Sequence, residues 1–315
     1  MIWVKKDIKC SSESEEYNML QLPKNEYRIS ITSGCNMKCV YCHNEGNKVI
    51  NQLSKDDIEE LIKNSYDLGL EQVRLTGGEP LIHKEIFDIC QMLAEKYHLK
   101  VGINTNIIEI DKLMYMIEKG WIYRVVVGLD YFDAPISKQS PVGISSKQAL
   151  ENTLRVKNSG VNVTISTVFN GDYDNLYKLV KWAHENKIRI KILEEVKNEV
   201  ADSTSEEYLQ MKEKIMTDFN LEPRYDDLFK EWHGINGDFT AVTFFHSHCR
   251  IRECDVCKKM HLRVTSCGSL KQCIQSEEDD VDFRKGNIRD NILKALTQPV
   301  NFDVKPARYV DTSLI

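Results

Sequence analysis

Short runs of alternating or β-branched apolar residues recur along the first two-thirds of the chain, each followed by a stretch with helical spacing. Tyr27–Thr32 alternates as a strand. Ser54, with Asp57 three residues later, marks a helix start, and Gly69 a stop. Gln72–Leu75 reads as a second strand and Lys84–Tyr97 as a helix. Leu99–Ile103 gives a third strand, followed by a helix over Asp111–Lys119 that ends at Gly120. Tyr123–Leu129 is a strongly apolar fourth strand, and Ser146–Asn158 is helical, closed by Gly160. Val161–Phe169, a helix over Asn175–Asn186, and Ile188–Leu193 complete the series. Six β-α units with β-branched strands predict an α/β fold, a parallel sheet covered by helices. Periodicity alone leaves open whether that sheet is flat or curled.

Outside the series the pattern changes. Residues 1–25 carry the polar run SSESEE and read as an arm. Residues 26–197 hold the βα series, and 198–238 read as a helical connection. Residues 239–315 form a small cysteine-rich second domain. No internal repeat or low-complexity tract is visible.

At 315 residues the chain is long enough for one large α/β domain and a smaller one. A net charge of −6 argues against a nucleic-acid partner. No apolar run approaches membrane-span length, and the opening MIWVKKDIKC lacks a signal peptide's apolar stretch. A cytoplasmic protein with no membrane partner is expected. Ten cysteines in a reducing compartment read as metal ligands rather than a disulfide framework. Cys35, Cys39 and Cys42 form one group; Cys249, Cys254, Cys257, Cys267 and Cys273 form another. Cys10 and Cys90 stand alone, and Cys90 sits in a helical pattern that suits core packing.

The first group follows the first strand as C-x3-C-x2-C. Three thiolates on a tight loop reach three corners of one small cluster and do not close a four-ligand site. A structural zinc or an electron-transfer iron–sulfur cluster takes four protein ligands, so three suggest an iron left open. The competing reading is a zinc knuckle or three unrelated cysteines. Gly77-Gly78-Glu79-Pro80 follows about 35 residues later, directly after the second strand. Two glycines let backbone approach a ligand closely, and a carboxylate accepts hydrogen bonds from an ammonium.

Together the two motifs resemble the signature of the radical S-adenosylmethionine (SAM) superfamily, with Tyr41 as the usual aromatic before the last cysteine. The resemblance implies a partial (βα)6 TIM-like barrel whose C-terminal strand ends carry the chemistry. It implies a catalytic [4Fe–4S] cluster on Cys35, Cys39 and Cys42, with SAM chelated on the open iron and cleaved to a 5′-deoxyadenosyl radical. It assigns Gly77, Gly78, Glu79 and Pro80 to SAM, with Tyr41 beside them.

Finer segments resemble the GTP 3′,8-cyclase (MoaA-type) branch of molybdenum-cofactor biosynthesis. Asn104-Thr105-Asn106 is similar to its Thr-Thr-Asn-Gly segment, which makes Thr105 and Asn106 candidates for touching SAM or substrate. Gly128-Leu129-Asp130 is similar to its Ser-Leu-Asp, with glycine in place of the serine; Asp130 reads equally as a strand-end cap. Glu194 and Glu195 either meet the SAM ribose or face water. From Cys257 the chain reads C-x10-G-x4-C, similar to the Twitch and SPASM cluster-binding extensions. Cys254, Cys257 and Cys273 match the trio that holds a second, auxiliary [4Fe–4S] cluster, and Cys249 or Cys267 is available as a fourth ligand. A structural zinc ribbon is the alternative.

Arg28 matches the arginine that opens the first strand in that branch, and Arg263 one of two later arginines. His261 stands at the other position, where it grips phosphate less well than a guanidinium fork. The Gly-Gly tail of that branch is absent. The implied partners are a nucleotide-like small molecule or a peptide, and an electron donor such as flavodoxin or ferredoxin. Within the superfamily the rival is a peptide-modifying maturase, although 25 residues before the barrel are too few for its winged-helix docking unit. Outside the superfamily the rival is a zinc-binding structural protein.

Overall fold

Capping side chains start most of the helices where the sequence pattern expects them. Ser54 accepts a hydrogen bond from the Asp57 backbone while the Asp57 carboxylate answers the Ser54 N–H, a reciprocal capping box. The side chains of Ser145, Asp172 and Ser205 cap three later helices by accepting from the backbone N–H three residues on, without the reciprocal bond. The computed structural model describes residues 21–39, 41–43, 51–133, 144–195, 204–225, 231–235, 238–246, 259–273 and 281–298. Cys10, Cys249, Cys254 and Cys257 lie outside the described residues.

Strand and helix alternate through six units. β1 (Glu26–Thr32) leads to α1 (Lys55–Lys63), β2 (Gln72–Gly77) to α2 (Ile86–Gln91), and β3 (Lys100–Thr105) to α3 (Ile110–Glu118). β4 (Ile122–Gly128) leads to α4 (Ser146–Asn158), β5 (Asn162–Phe169) to α5 (Tyr173–Glu185), and β6 (Arg189–Glu194) to α6 (Glu206–Asp218). The helix expected from residue 84 begins later, because Pro80–Ile82 first makes a tight turn, and α2 widens into a π segment over Met92–Lys96.

β1 to β6 pair in parallel and in chain order. Right-handed crossovers with no reversal of strand order send every connecting helix to the same side. The uncovered face then curls inward, giving the partial (βα)6 barrel. Strand order decides what hydrophobic periodicity could not. Tyr27, Ile29 and Ile31 of β1, Val101 and Ile103 of β3, and Val125 and Val127 of β4 are fully buried on the helix side. Leu61, Ile89, Leu113, Val156, Leu179 and Ile215, one from each helix, share the same core. The Tyr27 hydroxyl lies 2.8 Å from Ser65 Oγ beyond α1. Tyr27 therefore faces the helices, and its neighbour Arg28 faces the interior.

The later strands lengthen this sheet at both ends. β7 (Leu221–Tyr225), β8 (Glu231–Ile235) and β9 (Asp238–Phe245) form an antiparallel meander, with β9 parallel to β6. β10 (Leu262–Val264) lies parallel to β1, followed by antiparallel β11 (Ser269–Lys271) and β12 (Val281–Asp282), then α7 (Ile288–Thr297). The stretch expected to be a helical connection is thus helix only over α6 and strand afterwards. Pro223 reads against a strand, yet β7 ends the sheet, and an edge strand tolerates proline. Among the described residues no helix is long and apolar enough to cross a membrane.

The tightest contact in the barrel joins the ends of β1 and β2. Gly77 has φ 143°, and a Cβ there would fall 2.1 Å from the Thr32 carbonyl oxygen. A Cβ on Gly78 would fall 2.1 Å from the Gly34 carbonyl oxygen. Gly78 N donates to Thr32 O and Glu79 N to Gly34 O, each at 2.8 Å. The close approach these glycines permit is to backbone, the segment that runs into Cys35. Gly78→Ala is expected to cost about 1–3 kcal/mol by overpacking. Urea denaturation checks this as a lower midpoint at unchanged slope; an unchanged midpoint would mean that the loop gives way freely.

Candidate active site

The cysteine loop leaves the C-terminal end of β1 and is tied down on its near side. Ser33 N donates to Asn51 O at 2.9 Å, and Asn51 N donates back to Ser33 Oγ at 2.7 Å. Gly34 N is held by Thr32 Oγ1 at 3.1 Å, and Cys42 N closes a turn onto Cys39 O at 3.1 Å. Cys35 and Cys39 are partly buried and Cys42 is exposed. Burial pushes the Cys35 thiol up to about 11, with Glu79 and Cys42 adding to the rise. It pushes Cys39 up to about 12, reinforced by Asp130, Cys42 and Cys35. Thiols so placed resist ionising together, and bound iron would reverse that balance by favouring thiolates outright. Among the described residues no three His, Cys, Asp or Glu side chains gather as a single ion would need. Cys35, Cys39 and Cys42 act on one another's ionisation, which places the three thiols near each other, as ligands of one cluster must be.

Glu79 is 1% exposed and fully engaged. Its Oε1 accepts from Leu81 N at 3.0 Å and Thr105 Oγ1 at 2.8 Å, and its Oε2 from Asn106 N at 2.7 Å. Burial raises its carboxyl to about 7, against the lowering effect of those three bonds. The carboxylate therefore stitches the end of β2 to the end of β3, and Pro80, also buried, opens the turn it caps. Asn106 continues the chain of contacts. Its Nδ2 donates to Asn36 Oδ1 at 2.6 Å and lies 4.0 Å from Cys35 Sγ.

A second clamp comes from β4. The Tyr41 hydroxyl donates to Asp130 Oδ2, while Asp130 Oδ1 accepts from Val168 N at 2.8 Å. Burial raises the pKa of both groups. Asp130 is thus a strand-end cap that also grips the cysteine loop. Gly128 leaves space where a serine was expected, since a Cβ there would have only Thr105 O within 4 Å, at 3.9 Å. Glu194 sits on the face of Ile190 and Ile192, and its Oε1 accepts from Ser205 N at 2.8 Å. Glu195 follows it, partly buried at the strand end.

The interior face is polar and basic. Arg28 stands opposite Arg263 on β10 and Arg74 on β2; Arg74 stands opposite Gly102, and Gly102 opposite Arg124. Arg263 in turn pairs with Lys271. One register level across six strands therefore carries Lys271, Arg263, Arg28, Arg74 and Arg124, with Gly102 among them. His261 is 7% exposed just before β10. Burial, with Arg263, Arg28, Arg74 and Lys191 around it, holds its imidazole well below the ordinary range. His261 is a neutral hydrogen-bonding group here and adds no charge to the row. No motif marks Arg74, Arg124 or Lys271, although the polar side of Glu26-Tyr27-Arg28-Ile29-Ser30 already declares a polar interior.

Of the second cysteine group, Cys267 and Cys273 are described and both are partly buried. Cys267 lies in the turn after β10, on the side of the barrel where Cys35 emerges. β11 runs back antiparallel, so Cys273 emerges at the opposite side, level with His261.

The sequence matches the Radical SAM superfamily over residues 29–183. It is 24% identical over 292 residues to a probable GTP 3′,8-cyclase of Thermoplasma volcanium, covering 88% of each chain. It is 28% identical over 272 residues to a GTP 3′,8-cyclase of Clostridium perfringens, covering 78% of this chain and 79% of the relative. Among solved structures it is similar to Streptococcus suis SuiB bound to S-adenosylmethionine, with a TM-score of 0.64 at 16% identity, covering 91% of this chain and 71% of SuiB. The same protein bound to its precursor peptide SuiA gives 0.61 at 17% identity, covering 99% of this chain and 73% of that one. Residues 29–183 are a Radical SAM superfamily domain, and with relatives named GTP 3′,8-cyclases over most of its length the chain is an enzyme.

Proposed function

We propose that this enzyme abstracts hydrogen from a nucleotide-like anion held in the barrel interior, with GTP 3′,8-cyclisation as the nearest named activity. The observation that carries the reading is the basic row on the interior face, in a chain whose relatives are named GTP 3′,8-cyclases. When bound, a [4Fe–4S] cluster and SAM supply the 5′-deoxyadenosyl radical.

In this reading Cys35, Cys39 and Cys42 ligate the cluster. Gly77, Gly78, Glu79, Pro80, Thr105, Asn106 and Tyr41 line the SAM side. Glu79 and Asn106 fix the loop to β2 and β3, and the Tyr41–Asp130 bond fixes it to β4. A ligand set anchored on three strand ends keeps its geometry while a substrate C–H is brought up to it. Arg28 and Arg263 grip the anionic end by their planar forks, and the neutral His261 supplies a hydrogen bond beside them.

We assign a second [4Fe–4S] cluster to Cys254, Cys257 and Cys273, with Cys249 as the candidate fourth ligand, since Cys267 emerges at the opposite end of β11 from Cys273. The emergence of Cys273 beside His261 supports a cluster at the end of the interior remote from Cys35. An electron donor of the flavodoxin or ferredoxin type completes the system, in the cytoplasm.

Cys42→Ala is expected to abolish 5′-deoxyadenosine formation from SAM while iron at the C-terminal cysteines stays bound; retained cleavage removes the proposed ligand set. Anaerobic reconstitution with iron and sulfide is expected to load two clusters, and one cluster with zinc at the C-terminal site would defeat the second assignment. Reduced enzyme given SAM and, in turn, guanosine mono-, di- and triphosphate should form 5′-deoxyadenosine with at least one of them, and a pterin on oxidation. If all three are inert and a peptide is turned over, the nucleotide reading falls.

A further inference from the structure

Two of the arginines in the interior row are already answered from within the chain. Glu26 lies two residues before Arg28 on the same face of β1 and is 4% exposed. Its carboxylate takes Arg74 Nη2 at 2.9 Å and Arg124 Nη2 at 3.3 Å. Arg124 reaches β1 from three strands away because Gly102 stands between, where a Cβ would lie 3.5 Å from Arg124 Nε. The pairing is incomplete. Among the described residues Arg74 Nε and Arg124 Nε are buried with no hydrogen-bond partner, as is His261 Nε2, while the acceptor Asn104 Oδ1 is likewise unpaired on the same interior.

Buried donors left without acceptors in a basic interior point to an anionic ligand that supplies the missing acceptors. Any such anion must compete with Glu26 for Arg74 and Arg124, and each further negative charge it brings is repelled by the same carboxylate. We infer that Glu26 is a specificity-determining residue: by filling the Arg74–Arg124 pair it fits the interior to a substrate whose anionic end is a single phosphate, not a triphosphate chain. The inference deepens the nucleotide reading and rests on it only in taking the interior as the place where the substrate's anionic end lies.

The test is calorimetric titration of the cluster-loaded protein, with SAM present, by inorganic phosphate and by tripolyphosphate. Wild type should bind the two with affinities within about tenfold of each other. Glu26→Gln should bind tripolyphosphate about tenfold or more tighter than wild type, with phosphate affinity little changed. Wild-type binding of tripolyphosphate far tighter than phosphate overturns the inference without any variant, as does failure of either anion to bind. Equal tripolyphosphate affinity in Glu26→Gln and wild type overturns it as well. Neither titration needs turnover. Turnover of a peptide with all three nucleotides inert would therefore defeat the nucleotide reading, while these titrations decide the role of Glu26.

Discussion

Everything at the cysteine end of the barrel depends on one backbone contact, the closure of Gly77 and Gly78 onto Thr32 and Gly34. Two parallel strands normally part once their hydrogen-bond ladder ends. Here the ladder is prolonged past the strands by two further bonds, Gly78 N to Thr32 O and Glu79 N to Gly34 O. Side chains at 77 and 78 would overlap the carbonyl oxygens at 2.1 Å, so only glycine allows it. The consequence runs directly to chemistry. The same contact that holds Gly34 delivers Cys35, and it turns the Glu79 side chain inward onto Thr105 and Asn106. Asn106 then returns to the cysteine loop through Asn36. This ring of contacts, rather than the cysteines themselves, fixes the near side of the loop that carries the three thiols.

The two faces of the sheet solve opposite problems. The outer face buries β-branched and aromatic side chains against six helices, and that burial supplies most of the driving force. The inner face carries arginines at one level, and buried charge is costly unless paired. Glu26 offsets part of that cost by answering two guanidinium groups at once. His261 offsets more by staying neutral among cations. A fold that needed only stability would place apolar side chains there, as many barrels do. Under the proposed reading, the two guanidinium donors left unanswered there among the described residues, Arg74 Nε and Arg124 Nε, serve a ligand rather than folding.

Much of this was legible in the sequence because it is written in short-range signals. The six strands, the Ser54–Asp57 capping box, and the helices over 146–158 and 175–186 follow from period and capping alone. The cysteine and Gly-Gly-Glu-Pro motifs were legible as chemistry, but not as mutual support. Glu79 reads as a ligand in one dimension and is a buried stitch between strands in three. The interior row was hidden for another reason. Arg28, Arg74, Arg124, Arg263 and Lys271 are spread over about 240 residues of chain, and only strand register brings them level. The meander of β7 to β9 escaped because Pro223 and the polar composition around it mask a strand that survives at the sheet edge.

Register also separates what this barrel shares with SuiB, its fold, from what is its own. The likeness to SuiB is one of fold, at 16% identity. A fold of that kind does not choose its substrate. Under the proposed reading the choice lies at the levels below the strand ends, on the inner face of the sheet. In this chain that level pairs a glycine with four arginines and a lysine, and sets a carboxylate just beneath them. Change Gly102 to a larger residue and Arg124 loses its path to Glu26; change Glu26 and the row gains an open pair of guanidinium forks. The cofactor end can therefore stay constant while two small positions on β1 and β3 reset the charge that the interior accepts.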